Sequence, residues 1–305
     1  MPRSVRRLAV ALAVSCAGAA CAEQPAPPAP SEQRASAVTL TDDEGIETTL
    51  QRPPQRVVTF APSHTEIVFA LGLGDRLVGV SGEFDDYPSQ AKSIEQIGGA
   101  NGVEPNIEKV VALEPDVVLT AFIGGQWKER LRQLGVPVFT TLAASFEDTL
   151  ADMESLGRLL GAAERARELT AGMAARVGQT EQKLGGLPEV SCFLDLSDLF
   201  TVGPGSLEFD LLQRAGCEPV TGASGDPYPQ WSIEQLVQDD PDVYLVSEGV
   251  TPQQLSRQPG IRDLEAVRKG RVHQVDGDLI SRPGPRVVEG IEALARALHG
   301  ADAAA

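Results

Sequence analysis

Thirteen residues of this chain occur twice, and that recurrence limits the possible folds more than any other feature. IEKVVALEPDVVL at 107–119 aligns without a gap on IEQLVQDDPDVYL at 233–245, 126 positions further on, and seven of the thirteen positions are identical. Each copy is preceded by a residue suited to cap a helix, Asn106 or Ser232, and carries a glutamate at the second helical position, where the macrodipole favours a carboxylate. Each breaks the helix at Pro-Asp and enters an apolar strand, because the residue before a proline is driven out of the helical region. A spacing of 126 far exceeds the period of any solenoid, so the echo predicts two lobes of one design.

The segments around the echo fit that prediction. Short apolar strands are expected at Val57–Phe60, Leu77–Val80, Val117–Ala121 and Val136–Thr140, with helices after Ser63 and around Trp127–Leu134. Ser63-His64-Thr65-Glu66 has the S-x-x-E form of a capping box, and Gly72 or Gly74 would end the helix that follows. The second half repeats the alternation with strands at Val190–Leu196, Val243–Val246 and Val272–Val275, and helices at Leu207–Ala215 and about Arg286–Leu298. Strands alternating with helices argue for parallel sheets. Between the halves, residues 146–186 lack strand signal and contain a 22-residue helical stretch, Ala163–Leu184, which would span about 33 Å. The expected fold is therefore α/β: two Rossmann-like lobes with parallel central sheets, joined by one long backbone helix. The expected divisions are a leader at 1–20, a tether and lead-in at 21–54, lobes at 55–145 and 187–305, and connecting helices at 146–186.

Arg3, Arg6 and Arg7 precede an uncharged run from Leu8 to Ala20 that is too short to span a bilayer but suits a secretory leader. It ends in Gly18-Ala19-Ala20-Cys21, which resembles the lipobox of bacterial lipoproteins and makes Cys21 the expected lipidation site; Cys16 is a weaker candidate. Residues 22–37 contain Pro25, Pro27, Pro28 and Pro30 and read as an extended spacer. The chain is thus expected to be exported and lipid-anchored on the periplasmic or other extracytoplasmic face of a bacterial membrane. Export permits disulfides. Cys192 and Cys217 remain for one, with two buried thiols as the alternative.

A formal charge of −17 leaves no basic stripe for a phosphate backbone, which excludes nucleic acid as a partner. Motifs for covalent or cofactor chemistry are also missing. There is no G-x-S-x-G, Walker A, C-x-x-C, H-E-x-x-H or G-x-G-x-x-G. Pro204 removes an N–H donor from the glycine pair at 203–205, and the H-x-E at His64–Glu66 lacks the P-C-x-x-C that a zinc deaminase requires. No enzyme activity, metal site or cofactor is expected.

RVVTFAPSHTEIVFALG at 56–72, VGVSGEFDDYP at 78–88, the first echo, YPQWSIEQL at 228–236 and GDLISRPGPR at 277–286 together resemble the periplasmic binding proteins with a helical backbone. These capture cobalamin, haem or ferric siderophores for ABC importers, and the resemblance is strongest to the corrinoid-binding branch. It implies a monomer that holds a small-molecule ligand between its lobes and delivers it to a permease dimer with its ATPase subunits. It also implies that Glu108 and Glu234, the glutamates of the echo, dock on permease arginines. By the same resemblance Phe84, Phe122 and Tyr228 form aromatic walls, while Asp278 and Arg282 make polar contacts. Phe122 and Tyr228 stand where corrinoid binders carry tryptophan. Tyr87 and Trp231, in the same loops, and His64, in the first strand-to-helix loop, complete the candidate set. A corrinoid is the expected ligand, with haem or a ferric siderophore as the alternative.

Overall fold

The computed structural model describes residues 37–82, 84–98, 104–247, 251–255 and 257–300. The expected leader, Cys21 and the prolines of the spacer lie outside these residues.

The described chain opens with an antiparallel hairpin, β1 (Val38–Thr41) and β2 (Glu47–Leu50). Then come β3 (Val57–Phe60), α1 (Pro62–Ala70), β4 (Leu77–Gly79), α2 (Ile107–Ala112), β5 (Val117–Thr120), α3 (Gln126–Gln133) and β6 (Val138–Thr140). Two long helices, α4 (Phe146–Leu160) and α5 (Ala163–Leu184), lead into the second half. That half contains β7 (Val190–Asp195), α6 (Leu207–Arg214), β8 (Cys217–Pro219), α7 (Ile233–Asp239) and β9 (Val243–Val246). It continues with α8 (Pro252–Leu255), α9 (Glu265–Arg268), β10 (Val272–Gln274), α10 (Gly277–Ile280) and α11 (Val287–His299).

Both sheets are parallel and share one topology. Their orders are β4-β3-β5-β6 and β8-β7-β9-β10, so the first strand of each half lies inside, the second beside it, and the echo strand on its other side. The echo extends to the backbone. Glu114 and Asp240, 126 positions apart, both take positive φ, at 45° and 38°, just before the shared proline. The shared aspartates also do the same work. Asp116 Oδ2 accepts the backbone N–H groups of Gln55 and Arg56 ahead of β3, at 2.7 and 2.9 Å. Asp242 Oδ2 accepts the N–H and hydroxyl of Ser191 in β7, at 3.2 and 2.8 Å. Each aspartate thus ties the start of its echo strand to the central strand of its own lobe.

The inner faces of both sheets bury into one continuous core with α4, α5, α6 and α11, while the outer face of each sheet has a separate core of its own. In α5 the buried residues Ala166, Thr170, Met173, Val177, Thr180 and Leu184 recur at intervals of four and three, which makes a single stripe along the helix. Polar contacts brace that helix, since Arg176 makes a bidentate pair with Glu292 of α11 at 2.8 and 2.9 Å. A shared core joins the lobes more stiffly than a flexible hinge would, because its side chains are close-packed.

Cys192 in β7 and Cys217 in the adjacent β8 form a disulfide, and both are buried. The double variant C192A/C217A is expected to lose about 3.5 kcal/mol of stability through the loop it no longer closes. Urea denaturation of the oxidised wild type and the variant checks this, and equal midpoints would contradict it.

Three features depart from the sequence pattern. The β1–β2 hairpin and β8 were not expected, because VTLT, ETTL and CEP are not the apolar runs that mark most of the other strands. The capping box does not form: α1 starts at Pro62 with Ala61 as its cap residue, and no side chain caps it. Proline is pre-organised for the first helical position, so the helix begins two residues early and Ser63 falls inside it. Glu66 is released for another role.

Candidate functional site

The carboxyl ends of β3 and β5 lie on either side of the point where strand order reverses, which is where an α/β sheet leaves a crevice. A cavity of about 430 Å³ opens there. From the first lobe it is lined by Ala61, Pro62, Ser63, Phe84, Ala121 and Phe122, and from the second by Gly277, Asp278, Ser281, Arg282 and Pro283. Four of the sequence candidates, Phe84, Phe122, Asp278 and Arg282, therefore meet around one space between the lobes.

The other candidates lie outside that lining. The ring of Tyr87 packs against the Arg286 guanidinium at 4.2 Å. Tyr228 stacks on Phe200, with ring centroids 6.2 Å apart, and both rings are partly exposed. Phe200 was not among the candidates, yet it follows β7 just as Phe84 and Phe122 follow β4 and β5, and that position is the signal that could have found it. Trp231 packs against the outer core of the second lobe and donates its indole N–H to Asp239 at 3.0 Å. Trp127 is buried edge-on against Phe60. His64 is a correction: it lies in α1, not in the preceding loop, and is only 1% exposed. Its Nε2 bonds Thr141 Oγ1 at 2.9 Å, and burial pushes its pKa down to about 4, so the ring is neutral at pH 7 and sealed from the cavity.

Behind the cavity wall lies a set of buried ionisable residues that the sequence pattern does not reveal. Glu66, 3% exposed, accepts two bonds from Arg286 at 2.8 and 2.6 Å and one from Arg282 Nη1 at 3.3 Å. Its hydrogen bonds hold the Arg286 guanidinium more firmly protonated than usual. Arg282 also meets Asp278 at 2.6 Å and Asp86 at 3.6 Å. Glu66 belongs to the first lobe and both arginines to the second, so this cluster fastens the floor of the cleft across the seam.

Each wall has its own anchor. Asp85, 2% exposed, accepts from Thr65 Oγ1 at 2.5 Å, from the Gly82 N–H at 3.0 Å and from the Ser81 hydroxyl, which fixes the loop that carries Phe84. Glu208 accepts from the Tyr228 hydroxyl at 3.1 Å and is itself buried. Burial pushes its carboxyl up, and burial together with the Glu208 carboxylate pushes the Tyr228 phenol up. Ser281, on the cavity lining, also bonds Glu208. The segment 277–286 is therefore held by one carboxylate from each lobe.

Glu108 and Glu234 are exposed at the second positions of α2 and α7. Asn106 and Ser232 cap these helices by accepting the N–H groups of Lys109 and Gln235, each at 3.0 Å. In each lobe the helix precedes the echo strand, so its first turn lies toward the carboxyl ends of the parallel strands.

The sequence pattern of the family described as Periplasmic binding protein matches residues 57–279. An uncharacterized ABC transporter substrate-binding lipoprotein of Bacillus subtilis, YvrC, is 31% identical over 273 residues, covering 86% of this chain and 85% of that protein. The crystal structure of the periplasmic vitamin B12 binding protein BtuF of Vibrio cholerae is similar with a TM-score of 0.70 at 28% identity, over 81% of this chain and 97% of that one. A periplasmic heme binding protein from Pseudomonas aeruginosa is similar with a TM-score of 0.72 at 26% identity, over 81% and 93%.

Proposed function

This chain belongs to the periplasmic binding protein family, and from that premise we propose that it captures a corrinoid between its lobes and passes it to an ABC importer. In this reading residues 1–20 are removed, Cys21 is lipidated, and the domain works on the extracytoplasmic face of the membrane. Glu108 and Glu234 then meet the permease dimer, which carries the ATPase subunits.

The charge arrangement of the cleft carries the choice of ligand. Among the described residues lining the cavity the cation is Arg282, and it is already engaged by Glu66, Asp86 and Asp278. With Arg286 included, three carboxylates face two guanidinium groups, so the cluster is net negative. A ligand carboxylate entering here finds no unengaged cation, whereas an amide N–H finds carboxylate oxygens to donate to. The corrin periphery carries amide arms, while haem carries two carboxylates. The flanking rings of Phe84 and Phe122 suit either macrocycle, so the polar groups discriminate. The similarity to a heme binding protein supports haem as the second reading.

Parallel absorbance titrations with cyanocobalamin and haemin test this choice. Wild type is expected to saturate at one cyanocobalamin per chain and to bind haemin more weakly. D278A should weaken cyanocobalamin about tenfold, by loss of a charged acceptor, and should strengthen haemin by removing the shortest of the three carboxylate pairs of Arg282. Tighter binding of haemin than of cyanocobalamin by wild type would sink the corrinoid reading and leave haem.

A further inference from the structure

The loop that follows β5 is Ala121-Phe122-Ile123-Gly124-Gly125, and it forms one wall of the cavity. By itself it is poorly determined. Gly124 and Gly125 both take positive φ, at 66° and 96°, and Ile123 is 78% exposed. Gly125 sits at the cap position of α3 without a side chain to close the helix end. Such a loop has many accessible conformations, and something outside it must select one.

The selection comes from the amino-terminal hairpin. Glu44, in the turn between β1 and β2, accepts the Gly124 N–H at 2.6 Å and the Thr140 hydroxyl at 3.2 Å. Its Oε2 also pairs with Lys128 Nζ at 2.9 Å. The Lys128 side chain is 2% exposed; Nζ donates to the Phe122 carbonyl and to Thr140 Oγ1, the latter at 3.1 Å. The carboxylate therefore holds the loop at Gly124, and the ammonium holds it at Phe122. The turn itself is fixed on β6. Asp42 Oδ2 accepts the Thr140 N–H at 3.2 Å, Asp43 donates its N–H to Thr140 O at 3.1 Å, and Asp43 Oδ2 accepts the Leu142 N–H at 2.6 Å.

We infer that Glu44 and Lys128 are positioning residues for ligand capture: an ion pair between the part-exposed Glu44 of the hairpin and the buried Lys128 of α3 sets the Phe122 wall without touching the ligand. The inference rests on the proposed function for its binding consequence and on this geometry alone for its effect on the loop. The hairpin precedes the residues matched by the family pattern, which begin at 57. Burial works against the Lys128 ammonium and Glu44 opposes that effect, while the Gly124 N–H and Lys128 hold the Glu44 carboxyl down in spite of its own burial. Removing Glu44 would leave the buried Lys128 ammonium without its direct carboxylate partner at the root of the wall.

The test compares full-length wild type, E44Q and E44A by amide hydrogen–deuterium exchange without ligand, and by titration with whichever of cyanocobalamin or haemin wild type binds. E44Q keeps an acceptor for Gly124 but loses the charge facing Lys128, and E44A loses both. Exchange over residues 122–125 should rise about tenfold in E44A and less in E44Q, with the α5 amides unchanged. The dissociation constant should weaken about tenfold in E44A, again with E44Q between. Unchanged exchange over the loop in E44A, or a faster loop with unaltered affinity, would overturn the inference even if the melting temperature fell. Failure of wild type to bind either chromophore would instead remove the proposed ligand and leave the loop measurement decisive here.

Discussion

Glu66→Ala is expected to lower folding stability by about 3–5 kcal/mol and to abolish tight ligand capture, because it strands Arg286 in the seam between the lobes and removes one of the partners of Arg282. Glu66 is 3% exposed, while the Arg286 and Arg282 side chains are 13% and 11% exposed, so water cannot replace the lost carboxylate. The size of the effect separates two roles for this glutamate. A glutamate that only closed a capping box would cost about 1 kcal/mol when removed. Loss of a carboxylate paired bidentately with the largely buried Arg286 guanidinium costs several times that. The double variant E66A/R286A should recover part of the loss, since the charge left unpaired is then also gone. Urea denaturation of the three variants measures the stability, and chromophore titration of the same samples measures the capture. A midpoint for E66A within the range of a surface substitution would refute the account of the seam.

E108A/E234A is expected to behave in the opposite way, with stability and ligand affinity close to wild type but import lost. Both side chains are exposed, and neither lies on the cavity. Each is worth about 0.3–1 kcal/mol to its helix through the macrodipole, so the folded protein should tolerate their removal. A docking role depends on the pair. Two carboxylates at equivalent places on lobes that share one core can engage a two-fold permease together, and such charges act mainly on orientation and encounter rate. Uptake into vesicles carrying the cognate importer is the measurement, with ligand affinity measured alongside. Normal uptake by the double variant would show that the echo serves the helices alone.

The halves of the fold differ in how far local sequence foretells them. The alternation of strands and helices could be read closely, and the expected span of the long connector, Ala163–Leu184, is the span observed. Helix caps at Asn106 and Ser232 could be read because capping is settled within three residues. The capping box at Ser63 misled for an equally local reason: Pro62 competes for the helix start and wins. The hairpin and β8 escaped because VTLT, ETTL and CEP interrupt their apolar residues with polar ones or proline, unlike the apolar runs of most other strands. Among the site residues, Phe84, Phe122, Asp278 and Arg282 come together, but the residues that hold them in place were not foreseen. Glu66 falls in the S-x-x-E pattern and Glu44 in the lead-in, while Lys128 and Glu208 lie in expected helices where nothing in the sequence marks them.

What the sequence determined by itself is whatever depends on neighbours along the chain: the period of the elements, the caps, the breaks, and the doubled design written at 107–119 and 233–245. Tertiary structure alone decided which charges would share low-dielectric space. Glu66 and Arg286 are separated by 220 residues and Glu44 and Lys128 by 84, and no local pattern records either meeting. Burial makes those meetings matter, since a charge that water could solvate along an open chain must find its partner once the lobes close over it.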